Sequence, residues 1–135
     1  PFCLLMCDVD HFKQINDNHG HTVGDRAIVQ FATTLREHLR QSDLMFRFGG
    51  DEFLLMLPAT PYAQGREVAE KLRTAVEAGS VAADAEAVDM RASFGLLEID
   101  GGKTTFIDGE LVSNLIRECD QRLYLAKHRG RNQIA

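Results

Sequence analysis

The sequence predicts an α+β fold in which a mainly antiparallel sheet of about five strands is flanked by helices. Three observations carry that prediction. Phe2–Val9 is apolar on both alternating faces, as expected of a central strand covered on both sides. Gly49-Gly50-Asp51 separates two strand-like runs, and glycines beside an aspartate are a strong hairpin signal, which demands antiparallel pairing. Three further stretches carry apolar residues at helical spacing, and helices laid on a sheet make an α+β sandwich.

Asp8-Val9-Asp10 closes the first strand with carboxylates. Phe12 to Asn18 reads as a short helix, and His19-Gly20-His21 as a turn rather than a metal site. A longer helix is expected from about Thr22 to Arg40, with Ile28, Phe31, Leu35 and Leu39 on one face and Thr22-x-x-Asp25 resembling a capping box. Leu44 to Phe48 and Glu52 to Leu57 are the hairpin strands, and the turn between them is expected to use positive φ. Pro58 stops the second strand. Thr60 reads as an N-cap with Pro61 at the first helical position, opening a helix that ends at Gly79. Ser80 to Ala87 reads as a surface loop, Val88 to Leu96 as one half-buried strand and Asp100-Gly101-Gly102 as a turn. A last helix is expected from about Gly109 to Arg129, stopped by Gly130, with Asn132 to Ile134 as a short final strand.

The chain has 135 residues, a length suited to one domain, and 44% of them are hydrophobic, enough for one core. No apolar run is long enough to cross a bilayer, and no basic-then-apolar leader opens the chain, so a cytoplasmic domain is expected. A net charge of −5 argues against a general nucleic-acid surface, though not against one nucleotide held with a metal. Cys3, Cys7 and Cys119 are odd in number and lie in apolar segments, as small buried thiols do in a reducing compartment.

The chemistry gathers at the carboxylates. If the hairpin lies beside the first strand, then Asp8, Asp10, Asp51 and Glu52 put at least three acidic groups at one sheet edge. Such a cluster is costly without a cation, and its hard oxygen donors favour Mg²⁺, Mn²⁺ or Ca²⁺. Gly49 and Gly50 let backbone approach a ligand. Carboxylates, glycines and a divalent ion together suggest phosphoryl or nucleotidyl transfer. Each motif alone is weak: an Asp-x-Asp at a strand end is common surface decoration, and Gly-Gly-Asp is first of all a turn.

Their combination is specific. Arg47-Phe48-Gly49-Gly50-Asp51-Glu52-Phe53 contains the literal signature of the GGDEF family, and the sequence resembles that family over nearly all of residues 1–135. Cys7 to Asp17 resembles its first strand and helix, Gly20-His21-Thr22-Val23-Gly24-Asp25 its Gly-His-x-x-Gly-Asp segment, and Ser93-Phe94-Gly95 its Ser-Ile-Gly. Asp120 to Lys127 and Gly130-Arg131-Asn132 match its closing helix and strand. The family's opening helix and Asp-x-Leu-Thr segment do not precede Pro1, and the resemblance places part of the nucleotide pocket's wall there.

The resemblance implies a palm-like sheet related to polymerases and nucleotide cyclases, and a diguanylate cyclase that condenses two GTP into cyclic di-GMP and pyrophosphate. It implies Mg²⁺, or Mn²⁺ in its place, on Asp8, the Val9 carbonyl and Asp51, with Glu52 as a further ligand or base. Asp10 receives no metal role. Asn16 and Asp25 match the pair that reads guanine. The backbone of His11, Phe12 and Lys13 matches the phosphate cradle, Lys127 and Arg131 the phosphate-binding cations, and Gly49 and Gly50 a nucleotide contact. Arg40-x-x-Asp43 resembles the family's product-inhibition site for cyclic di-GMP, with Lys71 standing where some relatives carry a third Arg. A lysine keeps that charge without the planar fork. The resemblance further implies a homodimer for catalysis and an upstream sensory domain in the parent protein. A catalytically inactive module that binds GTP or cyclic di-GMP is the alternative, and another palm-type cyclase or polymerase fits the carboxylates but not Asn16, Asp25 and Arg40-x-x-Asp43.

Overall fold

A computed structural model of the chain describes residues 1–84, 86–101 and 108–135. Its elements run β1 (Phe2–Val9), α1 (Phe12–His19), α2 (His21–Glu37), β2 (Leu44–Arg47), β3 (Glu52–Leu57), α3 (Tyr62–Ala78), β4 (Ser80–Ala83), β5 (Glu86–Asp89), β6 (Ala92–Ile99) and α4 (Gly109–His128). Four strands form one sheet in the order β2-β3-β1-β6, and every pairing in it is antiparallel. β1 is central, as its unbroken apolar run requires. Ile134 adds one parallel bridge to Phe94 in place of the expected fifth strand.

The two faces of β1 feed two cores. Cys3, Leu5, Cys7 and Val9 face α1, α2 and α3, where Phe31, Leu35, Leu72 and Val76 are buried. Leu4 and Met6 face α4 with Leu54, Leu97, Cys119 and Leu123. Asp8 continues the α4-facing series and pairs in register with Glu52 on one side and Ser93 on the other. Register therefore places a carboxylate, a second carboxylate and a hydroxyl side by side on one face at one end of the sheet.

Several expectations are corrected. The stretch read as a loop forms the β4–β5 hairpin, a separate two-stranded sheet whose Val81 and Ala83 are buried. Alanine alternating with polar residues hides this strand pattern, because Ala carries little β preference. The strand expected over Val88–Leu96 is interrupted at Met90–Arg91, where the chain leaves one sheet for the other. Helix α2 stops at Glu37, and neither expected cap forms: α2 begins after Gly20 without a side-chain cap, and α3 is preceded by Pro61 rather than capped by Thr60. Thr60 is buried instead, donating to the Pro58 carbonyl (2.8 Å) and accepting from Arg40 (2.9 Å). Asp108 caps α4, its carboxylate accepting from Leu111 N (2.8 Å). The turn expected at Asp100-Gly101-Gly102 extends outside the described residues.

Candidate active site

At the end of the sheet where β1 stops, the chain turns sharply. His11 adopts a left-handed φ of 55° and α1 begins at Phe12. The first N–H groups of a helix have no partner within it and carry its positive end. Here His11, Phe12 and Lys13 border a recess of about 250 Å³. Asp8 and Val9 at the end of β1, Asp10 just beyond it, Asp51 from the β2–β3 turn, Lys127 in the last turn of α4 and Arg131 after it complete the recess. Acidic groups far apart in sequence thus meet in one cavity with a helix N-terminus and two cations.

The electrostatics of the recess centre on Asp8. Its side chain is 6% exposed and ion-paired through Oδ2 with Lys127 Nζ. Oδ1 is buried with no hydrogen-bond partner among the described residues. Burial pushes the Asp8 carboxyl up to about 6; the Lys127 bond and charge pull it down, and the neighbouring Asp51 and Asp10 charges raise it. Glu52 is also raised, by burial first and then by Asp120, with Lys127 opposing and Asp51 adding.

This donor set fits a hard divalent cation. An orphaned carboxylate oxygen with a raised pKa is a site that a cation would stabilise. No three His, Cys, Asp or Glu side chains among the described residues converge as a cage for an ion. Mg²⁺ is usually held by one or two carboxylates together with substrate phosphates.

The structure divides the expected cluster of carboxylates. Asp10 points its oxygens elsewhere: Oδ1 accepts from Ser93 Oγ (2.6 Å) and Oδ2 from the Asn132 backbone N–H (2.9 Å). Glu52 lies opposite Asp8 in register but does not border the recess. The Gly49-Gly50 turn has no positive φ, contrary to expectation. Phe48 N–H and Gly49 N–H both bond the Glu52 carbonyl, at 2.7 and 3.3 Å, and Arg47 donates to the carbonyls of Gly49 and Gly50. An added Cβ on Gly50 would meet nothing within 4 Å, so no contact within the domain requires glycine there.

Asn16 and Asp25 lie outside the recess, on α1 and α2. Asn16 packs so closely on Gly24 that a Cβ there would stand 1.7 Å from Asn16 Oδ1. Asp25 is exposed beside Arg26, Val29 and the β4 strand, and with no capping bond at the start of α2 its carboxylate is not used as a cap. Arg40 and Asp43 form a tight pair, with Nη2–Oδ1 at 2.9 Å and Nε–Oδ1 at 3.2 Å. Asp43 is buried and also accepts from the Arg40 backbone N–H (2.7 Å), while Arg40 reaches the Pro58 carbonyl (3.0 Å). Lys71 is exposed on α3.

Three residues quoted for resemblance alone acquire physical roles. Ser93 and Asn132 hold Asp10. Gly95 lets α4 touch the sheet: a Cβ on it would lie 2.3 Å from Leu123 N and 2.5 Å from the Cys119 carbonyl oxygen. A Ser-x-Gly pattern in a strand is the signal that could have suggested both, one hydroxyl and one close approach two residues apart.

The family profile described as "Diguanylate cyclase, GGDEF domain" matches residues 1–133. The chain belongs to the GGDEF family. It is 40% identical over 131 residues to the diguanylate cyclase DgcP of Pseudomonas aeruginosa, covering 97% of this chain and 18% of that protein. The fold agrees with the crystal structure of diguanylate cyclase SiaD from P. aeruginosa in complex with its activator SiaC (TM-score 0.89, 38% identity, 99% of this chain and 49% of that one). It agrees also with the GGDEF domain of DgcB from Caulobacter crescentus in complex with c-di-GMP (TM-score 0.87, 26% identity, 99% and 76%). The GGDEF chain thus spans a small part of the DgcP relative and about half of the SiaD chain. None of its described helices is long and apolar enough to cross a membrane.

Proposed function

We propose that this GGDEF domain is a diguanylate cyclase, joining two GTP molecules into cyclic di-GMP across a pair of domains. The single observation that carries the proposal is the meeting of Asp8 and Asp51 in one recess with the N-terminus of α1, Lys127 and Arg131. The signature carboxylates are intact, which favours turnover over a module that only binds GTP or cyclic di-GMP.

Asp8, the Val9 carbonyl and Asp51 would hold Mg²⁺, with Glu52 alongside. The ion supplies Lewis-acid polarisation and charge neutralisation at the triphosphate. The backbone N–H groups of His11, Phe12 and Lys13 receive phosphate oxygens, as helix N-termini do. Lys127, paired with Asp8 in this structure, and Arg131 bring cations to the same oxygens. Asn16 and Asp25 read the guanine edge, an acceptor carboxylate suiting its N1–H and N2–H₂ donors. Gly49 and Gly50 leave room for the nucleotide. One recess holds one GTP, and the 3′-hydroxyl of each GTP attacks the α-phosphorus of the other. A P–O bond forms, the bond to pyrophosphate breaks, and the hydroxyl proton leaves to a nearby base. Arg40 and Asp43, with Lys71, form the site where cyclic di-GMP inhibits. Arg40 keeps 54% of its side chain exposed despite its pairing, and DgcB supplies a relative solved with c-di-GMP.

Incubating a dimerised form of the domain with GTP and Mg²⁺ and assaying pyrophosphate and cyclic di-GMP tests the proposal. Both products are expected in 2:1 ratio, and Asp51→Ala should abolish them with the thermal melt unchanged within a few degrees. Full activity in Asp51→Ala would remove the metal assignment. Tight GTP binding without product would favour the binding module.

A further inference from the structure

The loop after α4 is held in an unusual conformation by Asp10 at the recess and by residues of α3 remote from it. Gly130, Arg131 and Asn132 all have positive φ, at 116°, 63° and 47°. For the two non-glycine residues that backbone costs about 1–2 kcal/mol each, so surrounding contacts must enforce it. Arg131 borders the recess, and its neighbour Asn132 takes the restraint. The Asn132 backbone N–H donates to Asp10 Oδ2 (2.9 Å) and to Ser93 Oγ (3.2 Å). Its side-chain amide is gripped at both ends: Nδ2 donates to Glu77 Oε2 (2.9 Å) and Oδ1 accepts from Arg73 Nη1 (3.2 Å). Arg73 also bonds Glu77 Oε2 (2.9 Å) and is ion-paired with Glu70. A continuous polar chain therefore joins one face of α3 to the residue next to Arg131.

We infer that Arg73 and Glu77 of α3, acting through Asn132, are positioning residues that present Arg131 to the triphosphate. An amide suits Asn132's place. It must donate to a carboxylate and accept from a guanidinium at once, and asparagine is also the non-glycine residue that best tolerates left-handed backbone. Neither Arg73 nor Glu77 borders the recess, so any effect of theirs on nucleotide binding has to travel through the 130–132 loop. Glu77 is 41% exposed and Arg73 18%, so solvent screening on the Glu77 side limits what their pairing adds to global stability. The arrangement is better explained by what it orients than by what it stabilises.

The inference rests on the reading of the recess as a triphosphate site, and a double-mutant cycle separates the two. The probe is a non-reactive GTP analogue with an α,β-methylene bridge, titrated calorimetrically with Mg²⁺ into the full chain and its variants. Arg131→Ala is expected to weaken binding by roughly tenfold, and Arg73→Ala and Glu77→Ala by about three- to tenfold each. In the Arg131→Ala background the α3 substitutions should add nothing, because their effect passes through that side chain. Glu77→Gln keeps an acceptor for Asn132 Nδ2 and should bind within about twofold of the parent. If Arg73→Ala prevents folding, Glu77→Ala on the exposed face of α3 carries the cycle alone. Equal losses with and without Arg131 would overturn the inference while leaving the triphosphate site standing. An Arg131→Ala variant that binds like the parent would overturn both.

Discussion

Asp8 illustrates how a functional residue is held at a cost. Burial pushes its carboxyl up to about 6, above the ordinary aspartate value of 3.8. The folded state therefore keeps its proton more tightly than the unfolded state does. The contribution of Asp8 to stability is greatest below pH ~4, falls as pH rises towards the folded value, and above it leaves a penalty on the order of 3 kcal/mol. Without divalent cation, Asp8→Asn should then melt higher than the parent by roughly 10 °C above pH ~7, with the difference vanishing near pH 4. Melting curves across that range check it, and an Asn variant that is less stable at every pH would show that the Lys127 pair outweighs burial. Arg40 makes a different prediction. It serves the fold through the Pro58 carbonyl and Thr60 as well as Asp43, so Arg40→Ala should lose about 1–2 kcal/mol and also relieve inhibition by cyclic di-GMP. Product inhibition measured at 20 °C, well below the melt, separates the effects, and unchanged inhibition removes that site. The signature carboxylates were legible from sequence because their types and order are fixed. The division of labour between Asp8 and Asp10 was not: both sit on one face, and only the position of Ser93 and Asn132 decides that Asp10 is a structural acceptor.

Elements explain which parts of the fold could be read in advance. β1 announced itself through five consecutive buried apolar or thiol residues, Cys3 to Cys7, and then Val9 beyond Asp8, each with a partner layer. Helices α2, α3 and α4 were visible from their apolar spacing, and α4 and the end of α3 at Gly79 fall where expected. The N-caps of α2 and α3 were misread because capping depends on tertiary partners, and Thr60, the expected cap, is drawn to Arg40 instead. The β4–β5 hairpin was invisible, since Ser, Ala and Asp alternate there without a strong apolar signal and only burial on α2 reveals the pattern. The α4–sheet contact was equally hidden, because a glycine in a strand does not say what approaches it. Here the approach is backbone to backbone, as Gly95 lies under Leu123 N and the Cys119 carbonyl. Gly95→Ala must push α4 off the sheet, and α4 carries Lys127 to Asp8. A loss of about 2–4 kcal/mol in urea unfolding is expected, together with weaker GTP binding. A variant as stable as the parent would mean that α4 can shift without cost, and the close approach would have no structural consequence.

At the scale of the whole molecule, the recess sets the stoichiometry. Its volume of about 250 Å³ falls just below that of small-molecule sites, which run from roughly 300 to 1,000 Å³. It has one Asp8–Asp51 pair and one pair of cations, enough for one triphosphate and not for two. A reaction that consumes two GTP must then bring two recesses face to face, and each copy carries a net charge of −5. Like charge opposes that approach, most strongly at low salt, so encounter of free copies is expected to be weak and to improve as salt screens the repulsion. Initial velocity of the separate domain should therefore rise with the square of protein concentration at its lowest values and become linear where dimers saturate. Fusion to a parallel dimeric coiled coil should raise the velocity per chain and abolish the quadratic regime, by supplying a high effective concentration. Velocity strictly proportional to concentration down to the nanomolar range, in a chain shown to be monomeric by light scattering, would mean that one domain closes both phosphodiester bonds alone, and the two-recess mechanism would fail.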